Sequence, residues 1–389
     1  MMSMSSPSEI SGGPALYGTR RHFVAGLALA GVGVSAHAAD PLVIAQVAPF
    51  SGPQAITGRA VHAGAKLHFD AVNARGGVKG RPVKFVTRDD AQKADQTVKL
   101  VREVIAEESP VALLGTVGTT NLEALAKDGV LVQQRMAMIG AVSGASSIAR
   151  APGMHVVKAS YHDEVARLFR NLSTLGVKRV GLVNQDDGLG QDVLTGAQAA
   201  AQQYGIELVA NTSYVRNTVA VEQAVAQMIK ARPQVVFLGA TTAAGIEFVK
   251  QYAAAGGGGT MLYGLSIIDT DALRKSLGDE RARGYAFSVV LPMQQDQGRA
   301  VVREYLALRS ASKDPDLSAR SIEGFVAARA LTQVLEGVQN PSAATVSAAL
   351  SNARSIDVGG YVLDFSNREQ TASRYVDFAM FGAGGRIVQ

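Results

Sequence analysis

Val111-Ala112-Leu113-Leu114-Gly115-Thr116-Val117-Gly118-Thr119-Thr120-Asn121 holds the plan of the chain in miniature. The apolar run reads as a buried strand. Gly and Thr then break it, and Thr119-Thr120-Asn121 supplies start chemistry for a helix over about 121–127. Exposed backbone N–H groups and the positive end of the helix dipole make such a junction a place for a carboxylate or other anion. Threonine hydroxyls add donors, although Thr is also a common helix cap.

The same unit recurs on both sides. Strands are expected at 43–47, 83–86, 111–114 and 136–141, with helices at 59–74, 95–107 and 121–127. The stripe Ala60, Ala63, Leu67 and Ala71 marks the buried face of the first helix, and Gly76-Gly77 stops it. A second series follows, with strands at 155–158, 179–183, 208–214, 235–238 and 261–263. Its helices fall at 162–174, 192–204, 219–231 and 244–254. Alternating βα units call for parallel sheets covered by helices. Two series in succession predict two α/β sandwich domains of similar size. From about Gly298 the chain turns helical, at 301–310, 321–338 and 344–350. It ends on strand-like 361–365 and 375–380.

Composition narrows the function. The net charge is +5, spread over the whole chain without a basic run, so no nucleic-acid footprint is present. There are no cysteines, which removes a thiolate metal site, a Cys nucleophile and a lipoprotein anchor. Tryptophan is absent and aromatics make up 6%, so a pocket of hydroxyls and amides is favoured over a stacked aromatic cage.

Catalytic signatures are missing. No Walker loop, no G-x-G-x-x-G after the first strand and no G-x-S-x-G elbow occur. His62 and His68 sit on different faces of one helix and form no zinc pair. Asp89-Asp90 and Asp186-Asp187 lie at strand ends, where helix capping is the commoner role. The expectation is a protein without enzymatic chemistry, cofactor or metal. Ser143-Gly144-Ala145-Ser146 follows the fourth strand with the same logic as the Thr119 loop, and in open α/β sheets ligands sit at such strand ends.

The first residues carry an address. Arg20-Arg21-His22-Phe23 precedes an apolar run from Val24 to about Ala36, with small residues at Ala36-His37-Ala38. That run is too short for the ~20 residues of a membrane-crossing helix. It reads as a signal peptide spanning 1–38, cut near Ala38, which exports the remainder to the periplasm. A twin-arginine signal and an ordinary secretory signal both fit it.

Several segments together resemble the type I periplasmic solute-binding proteins of ABC importers, in the branched-chain amino-acid-binding-like family. They are Pro49-Phe50-Ser51-Gly52-Pro53, Val72 to Gly80, Arg88-Asp89-Asp90, Gly115 to Thr119, Ala159 to Glu164 and Gln185 to Gly190. The resemblance covers about Pro41 to Val388. It implies two αβα-sandwich lobes joined by three hinge crossovers near Ser160, Val290 and Gln370. Lobe 1 would be 39–160 plus 290–370, and lobe 2 would be 161–289 plus 371–389. It also implies a small-molecule ligand, an amino acid or related carboxylate or amide, held between the lobes and delivered to an ABC permease by a monomer. A sensor module of the same fold is the alternative.

Thr119 matches the hydroxyl that holds the ligand carboxylate, and Ser143 falls in the second carboxylate loop. Tyr161 resembles a cleft-lining aromatic or a half-buried hinge tyrosine. Thr120 and Ser51 belong to the same set of loops. Leu189 and Thr241 stand at positions often aromatic in amino-acid binders. Ser266 falls where those binders place an acid for the α-ammonium. Asp163, Asp186 or Asp269 would have to substitute for that acid, or the ligand carries no amine.

Overall fold

The computed structural model describes residues 40–367 and 369–389. The expected export segment, with Arg20, Arg21 and the cut after Ala38, lies outside them. Five strands make the first sheet: β1 (Leu42–Ala48), β2 (Val83–Asp89), β3 (Ala112–Leu114), β4 (Met138–Ile139) and β5 (Met154–His155). They are all parallel, in the order β2-β1-β3-β4-β5. The second sheet begins with β6 (Arg179–Asp186), β7 (Glu207–Val215), β8 (Val235–Gly239), β9 (Met261–Gly264) and β10 (Ala286–Val289). Strands β11 (Ile356–Asp357) and β12 (Val362–Leu363) pair with each other apart from it. Then β13 (Asp377–Phe381) and β14 (Ile387–Val388) complete the order β14-β13-β10-β9-β8-β6-β7. The parallel part, β7-β6-β8-β9-β10, repeats the winding of the first sheet, and β13 and β14 add antiparallel edges.

Local sequence explains these elements. Val235-Val236-Phe237-Leu238-Gly239 is buried throughout, as a central strand covered by helices on both faces must be. The Ala55–Ala74 helix buries Val61, Ala65, Phe69 and Val72, while Leu67 and Ala71 of the expected stripe are only half-buried. Its true face is set by the helix Ile322–Gly337 as well as by the sheet. At their crossing, a Cβ on Gly64 would lie 1.7 Å from the Ser321 carbonyl oxygen, and one on Gly324 1.9 Å from that of Val61. Only glycine permits so close an approach of two helices.

Three passages link the sheets, after β5, after β10 and before β13. They lie side by side. The Ala372 N–H donates to the Val156 carbonyl at 2.9 Å. The Tyr361 hydroxyl donates toward the carbonyls of Val157 (2.9 Å) and Val290 (3.1 Å). The expected strand at 155–158 therefore stops at His155, because the residues beyond it belong to a crossover. β10, β14 and the helix Thr270–Leu277 were not expected from the sequence; β10 and β14 are short, and β10 is half of one parallel and one antiparallel pairing.

Candidate functional site

In an open parallel sheet, the loops diverge where the strand order reverses, and a crevice opens there. The reversal falls between β1 and β3 in one sheet and between β6 and β8 in the other. The loops that leave these strands face each other. They enclose a cavity of about 30 Å³, lined from one side by Gln54, Thr57, Gln92, Gly118 and Thr119 and from the other by Asp187, Leu189, Asn217, Thr241 and Ile267. Tyr161 and Arg320 complete its wall. The volume holds little more than a water molecule, so a guest enters only when the two sides part.

Thr119 opens the helix Thr119–Asp128, and its Oγ1 lies 2.8 Å from Ser143 Oγ. Both residues are buried. Ser143 Oγ also accepts from the Ala145 N–H at 3.1 Å. Tyr161 is hydrogen-bonded to Ser143, and burial pushes its phenol well above the ordinary range. Gly118 precedes Thr119 at φ +101, with the Gln92 amide 2.0 Å from where a Cβ would stand. A side chain there would displace Gln92 from the wall.

The sequence-derived candidates separate into groups. Thr119, Tyr161, Leu189 and Thr241 line the cavity, and Ser143 backs Thr119. Thr120 instead donates to Asp187 Oδ2 at 3.1 Å, bridging the two sides beside the cavity. Ser51 is exposed and hydrogen-bonded to Asp89, while Gln54 and Thr57 from the same segment reach the cavity. Ser266 is turned away as well. Its N–H and hydroxyl both donate to the Glu164 carboxylate, at 2.9 and 3.0 Å. None of the three substitute acids lines the cavity. Asp163 forms a capping box with Ser160, Asp186 is exposed, and Asp269 caps the Thr270–Leu277 helix and accepts from Ser318.

Residues that sequence reasoning missed are Gln92, Arg216, Asn217 and Arg320. Arg216 donates to the Gln92 carbonyl at 2.9 Å and to Asn121 Oδ1, and pairs with Asp187 at 3.3 Å. Asn217, in the left-handed region at φ +60, donates to the same Gln92 carbonyl. The turn after β7 thus grips the opposite side of the crevice. Only Asn217 carried a signal, since Asn tolerates that backbone conformation.

A buried charge cluster stands behind Tyr161. Lys158 and Glu323 are 3.2 Å apart, and Arg320 pairs with Glu323 at 2.9 Å and donates to the Ser266 carbonyl. Glu164 accepts from Ser266 and from Ser288 Oγ. Burial pushes the Glu164 carboxyl up and pulls the Lys158 amine down. The two basic and two acidic groups offset one another, which is how such groups survive out of water. Three atoms at the cavity wall remain without partners among the described residues: Arg320 Nε–H as donor, and Gln92 Oε1 and Asn217 Oδ1 as acceptors.

A larger cavity of about 530 Å³ lies elsewhere, bounded by β10, β13, β14 and residues 290–295. It contains neither Thr119 nor Tyr161. The smaller cavity is the candidate solute site, because the reversal points of both sheets meet there and three of its polar atoms are buried and unpaired. Among the described residues, no cluster of His, Asp or Glu is placed to hold a metal ion, and no helix is long and apolar enough to cross a membrane.

Two sandwich lobes of like winding, joined by three passages of chain and facing each other across a polar crevice, define the class of two-lobed binding proteins. A family profile for periplasmic binding proteins matches residues 41–386, and the chain belongs to that family. Leu/Ile/Val-binding protein homolog 7 of Brucella suis is 22% identical, over 91% of this chain and 92% of that protein. A substrate-binding periplasmic protein from Ralstonia solanacearum, solved as a crystal structure, is 40% identical. It aligns with a TM-score of 0.86 over 90% of this chain and 99% of that one. The fold is shared, at 20% identity and a TM-score of 0.77, with an ABC-transporter solute-binding protein from R. palustris in complex with benzoate; the alignment covers 90% of this chain and 95% of that one. The chain is a type I periplasmic binding protein of the branched-chain amino-acid-binding family, an extracytoplasmic solute-binding class rather than an enzyme class.

Proposed function

We propose that the protein captures a small carboxylate-bearing solute between its lobes and delivers it, as a monomer, to an ABC permease. The lobes are taken as 39–160 plus 290–370 and 161–289 plus 371–389. Residues 1–38 serve as the export signal. The observation that carries the reading is the unpaired polar set at the interlobe cavity, next to the buried Thr119–Ser143 hydroxyl pair. A carboxylate accepts from the hydroxyls and from Arg320 Nε–H. A neutral N–H or O–H on the same guest then donates to Gln92 Oε1 or Asn217 Oδ1.

The acid at the wall, Asp187, is already committed. It accepts from the N–H groups of Leu189 and Gly190, from Gln185, Thr120 and Arg216. An α-ammonium would thus meet amide oxygens and no free carboxylate, a poor exchange for its hydration. This favours an organic acid or amide-bearing acid over a free α-amino acid.

The test is mass spectrometry of the small molecule that co-purifies, followed by calorimetric titration of that compound. Hydrogen bonds to a charged group contribute about 1.5–3 kcal/mol each. Thr119→Val with Ser143→Ala should weaken carboxylate binding by at least roughly tenfold. Unchanged affinity in the double variant refutes the assignment.

A further inference from the structure

The 530 Å³ cavity shares only Arg320 with the solute cavity, and it has the size and lining of a ligand site. Its walls come from both lobes. Phe287, Leu291, Met293, Phe381 and Ile387 face Ile322 at the start of the long helix. Phe287, Leu291, Ile322 and Phe381 are nearly inaccessible to water outside this space, and Met293 and Ile387 are half-buried.

Polar groups at the cavity differ sharply in whether they are occupied. Both carboxylates are committed: Asp269 to the Ala272 N–H and Ser318, and Asp271 to Arg309 and the Ala319 N–H. Ser288 is committed to Glu164. Of the three arginines at the cavity, Arg320 is held by Glu323, and the other two are the loosely held members. Arg274 donates once, to the Gly385 carbonyl at 3.2 Å, and stands 4.0 Å from Asp279 in a half-exposed pair of little strength. Arg386 is exposed and has no side-chain partner among the described residues. Apolar walls with satisfied acids and spare guanidinium N–H groups complement one chemistry, an anionic head on a hydrocarbon tail.

We propose that this cavity is a second binding site, for an amphipathic carboxylate of medium chain length. Its carboxylate pairs with Arg274 and Arg386, and its tail lies against Phe287, Leu291, Met293 and Phe381. Because Leu291, Met293, Arg320 and Ile322 belong to one lobe and Arg274, Phe287, Phe381 and Arg386 to the other, an occupant bridges the lobes beside the solute crevice, with Arg320 in the wall of both cavities. The site goes beyond the capture reading and does not depend on it.

Decanoate is the probe, titrated into the exported-length protein by calorimetry, with butyrate as the short-tail control. Decanoate should bind and butyrate should be weaker by about a thousandfold, since each buried methylene contributes. Arg274→Gln with Arg386→Gln, both at solvent-exposed or half-exposed positions, should lower decanoate affinity by about tenfold or more. Met293→Glu should lower it further by placing a carboxylate beside the tail. Thr119→Val with Ser143→Ala should leave it unchanged. Thermal melting of each variant checks that the fold persists. The proposal is overturned if decanoate fails to bind at millimolar concentration. It is equally overturned if binding survives the arginine substitutions, or falls with the Thr119 and Ser143 pair, which would move the fatty acid to the interlobe crevice.

Discussion

His68 shows what a single buried side chain does to the whole protein. It lies inside the Ala55–Ala74 helix, 3% exposed, with Nε2 3.1 Å from Thr332 Oγ1 and its ring against Phe325. Burial, helped by Arg329 and Arg75, lowers its pKa from 6.5 to about 3. The unfolded chain therefore takes up a proton near pH 6.5 that the native state refuses. The stabilising effect of the neutral ring is complete above pH 6.5 and is lost as pH falls from there toward 3, at roughly 1.4 kcal/mol per pH unit. Melting temperature should drop between pH 7 and pH 5 in the parent, and His68→Gln should flatten that drop; an identical slope in both proteins would rule out His68 as its source. At this scale the sequence was partly legible. Thr119 and Ser143 were readable because a hydroxyl after a strand has few better places to go than a helix start or a ligand. Arg320 was not, because its local partner Glu323 reads as an ordinary i,i+3 surface pair, and the Ser266 carbonyl it serves, 54 residues back, comes within reach only in the fold. Asp187 was read correctly as a cap, accepting from Leu189 and Gly190, and its cross-lobe bond to Thr120 was the unreadable part.

Among the elements, the three crossovers decide whether the lobes can move, and Tyr361 ties two of them together. Its ring is buried and its hydroxyl is directed at two carbonyls that have no strand partner of their own at that point. Tyr361→Phe leaves those carbonyls short of a donor, at a cost of about 1–3 kcal/mol. The expected result is a lowered melting temperature together with altered solute affinity, because the hinge strands lose their mutual tether. A melting temperature equal to that of the parent would show that water replaces the hydroxyl and that the tether is unimportant. The long strands β1, β6 and β8 were legible as apolar runs, whereas the order of the strands in each sheet was not. β4, β5 and β10 are two to four residues long, and their pairing rather than their composition makes them strands. The Ala55–Ala74 helix was placed correctly but its face was misjudged. Small residues at 60, 63 and 71 suggested one stripe, whereas Gly64 and Gly324 let a second helix in and widened the buried arc.

For the whole molecule, closure is written in polar contacts that cross the crevice mouth. Arg216 and Asn217 reach Gln92 and Asn121, Asp187 receives Thr120, and Asp192 accepts from the Ser146 N–H at 3.1 Å. These bonds exist only when the lobes meet, so they bias the equilibrium toward the closed form before and after solute enters. Arg216 is the strongest of them, since a guanidinium bonded to a carbonyl, an amide and a carboxylate loses several charge-assisted contacts when removed. Arg216→Ala should shift the population toward the open form by about 1–3 kcal/mol. Because the guest binds the closed form, binding weakens in proportion to the fraction of closed protein lost. It should be expressed mainly in a faster dissociation rate, the step that requires the mouth to part. Small-angle scattering of the solute-free variant should show a larger radius of gyration than the parent, converging with it at saturating solute. A variant whose scattering and dissociation rate both match the parent would mean that the crossover tethers alone set the angle between the lobes, and that the mouth contacts merely follow it.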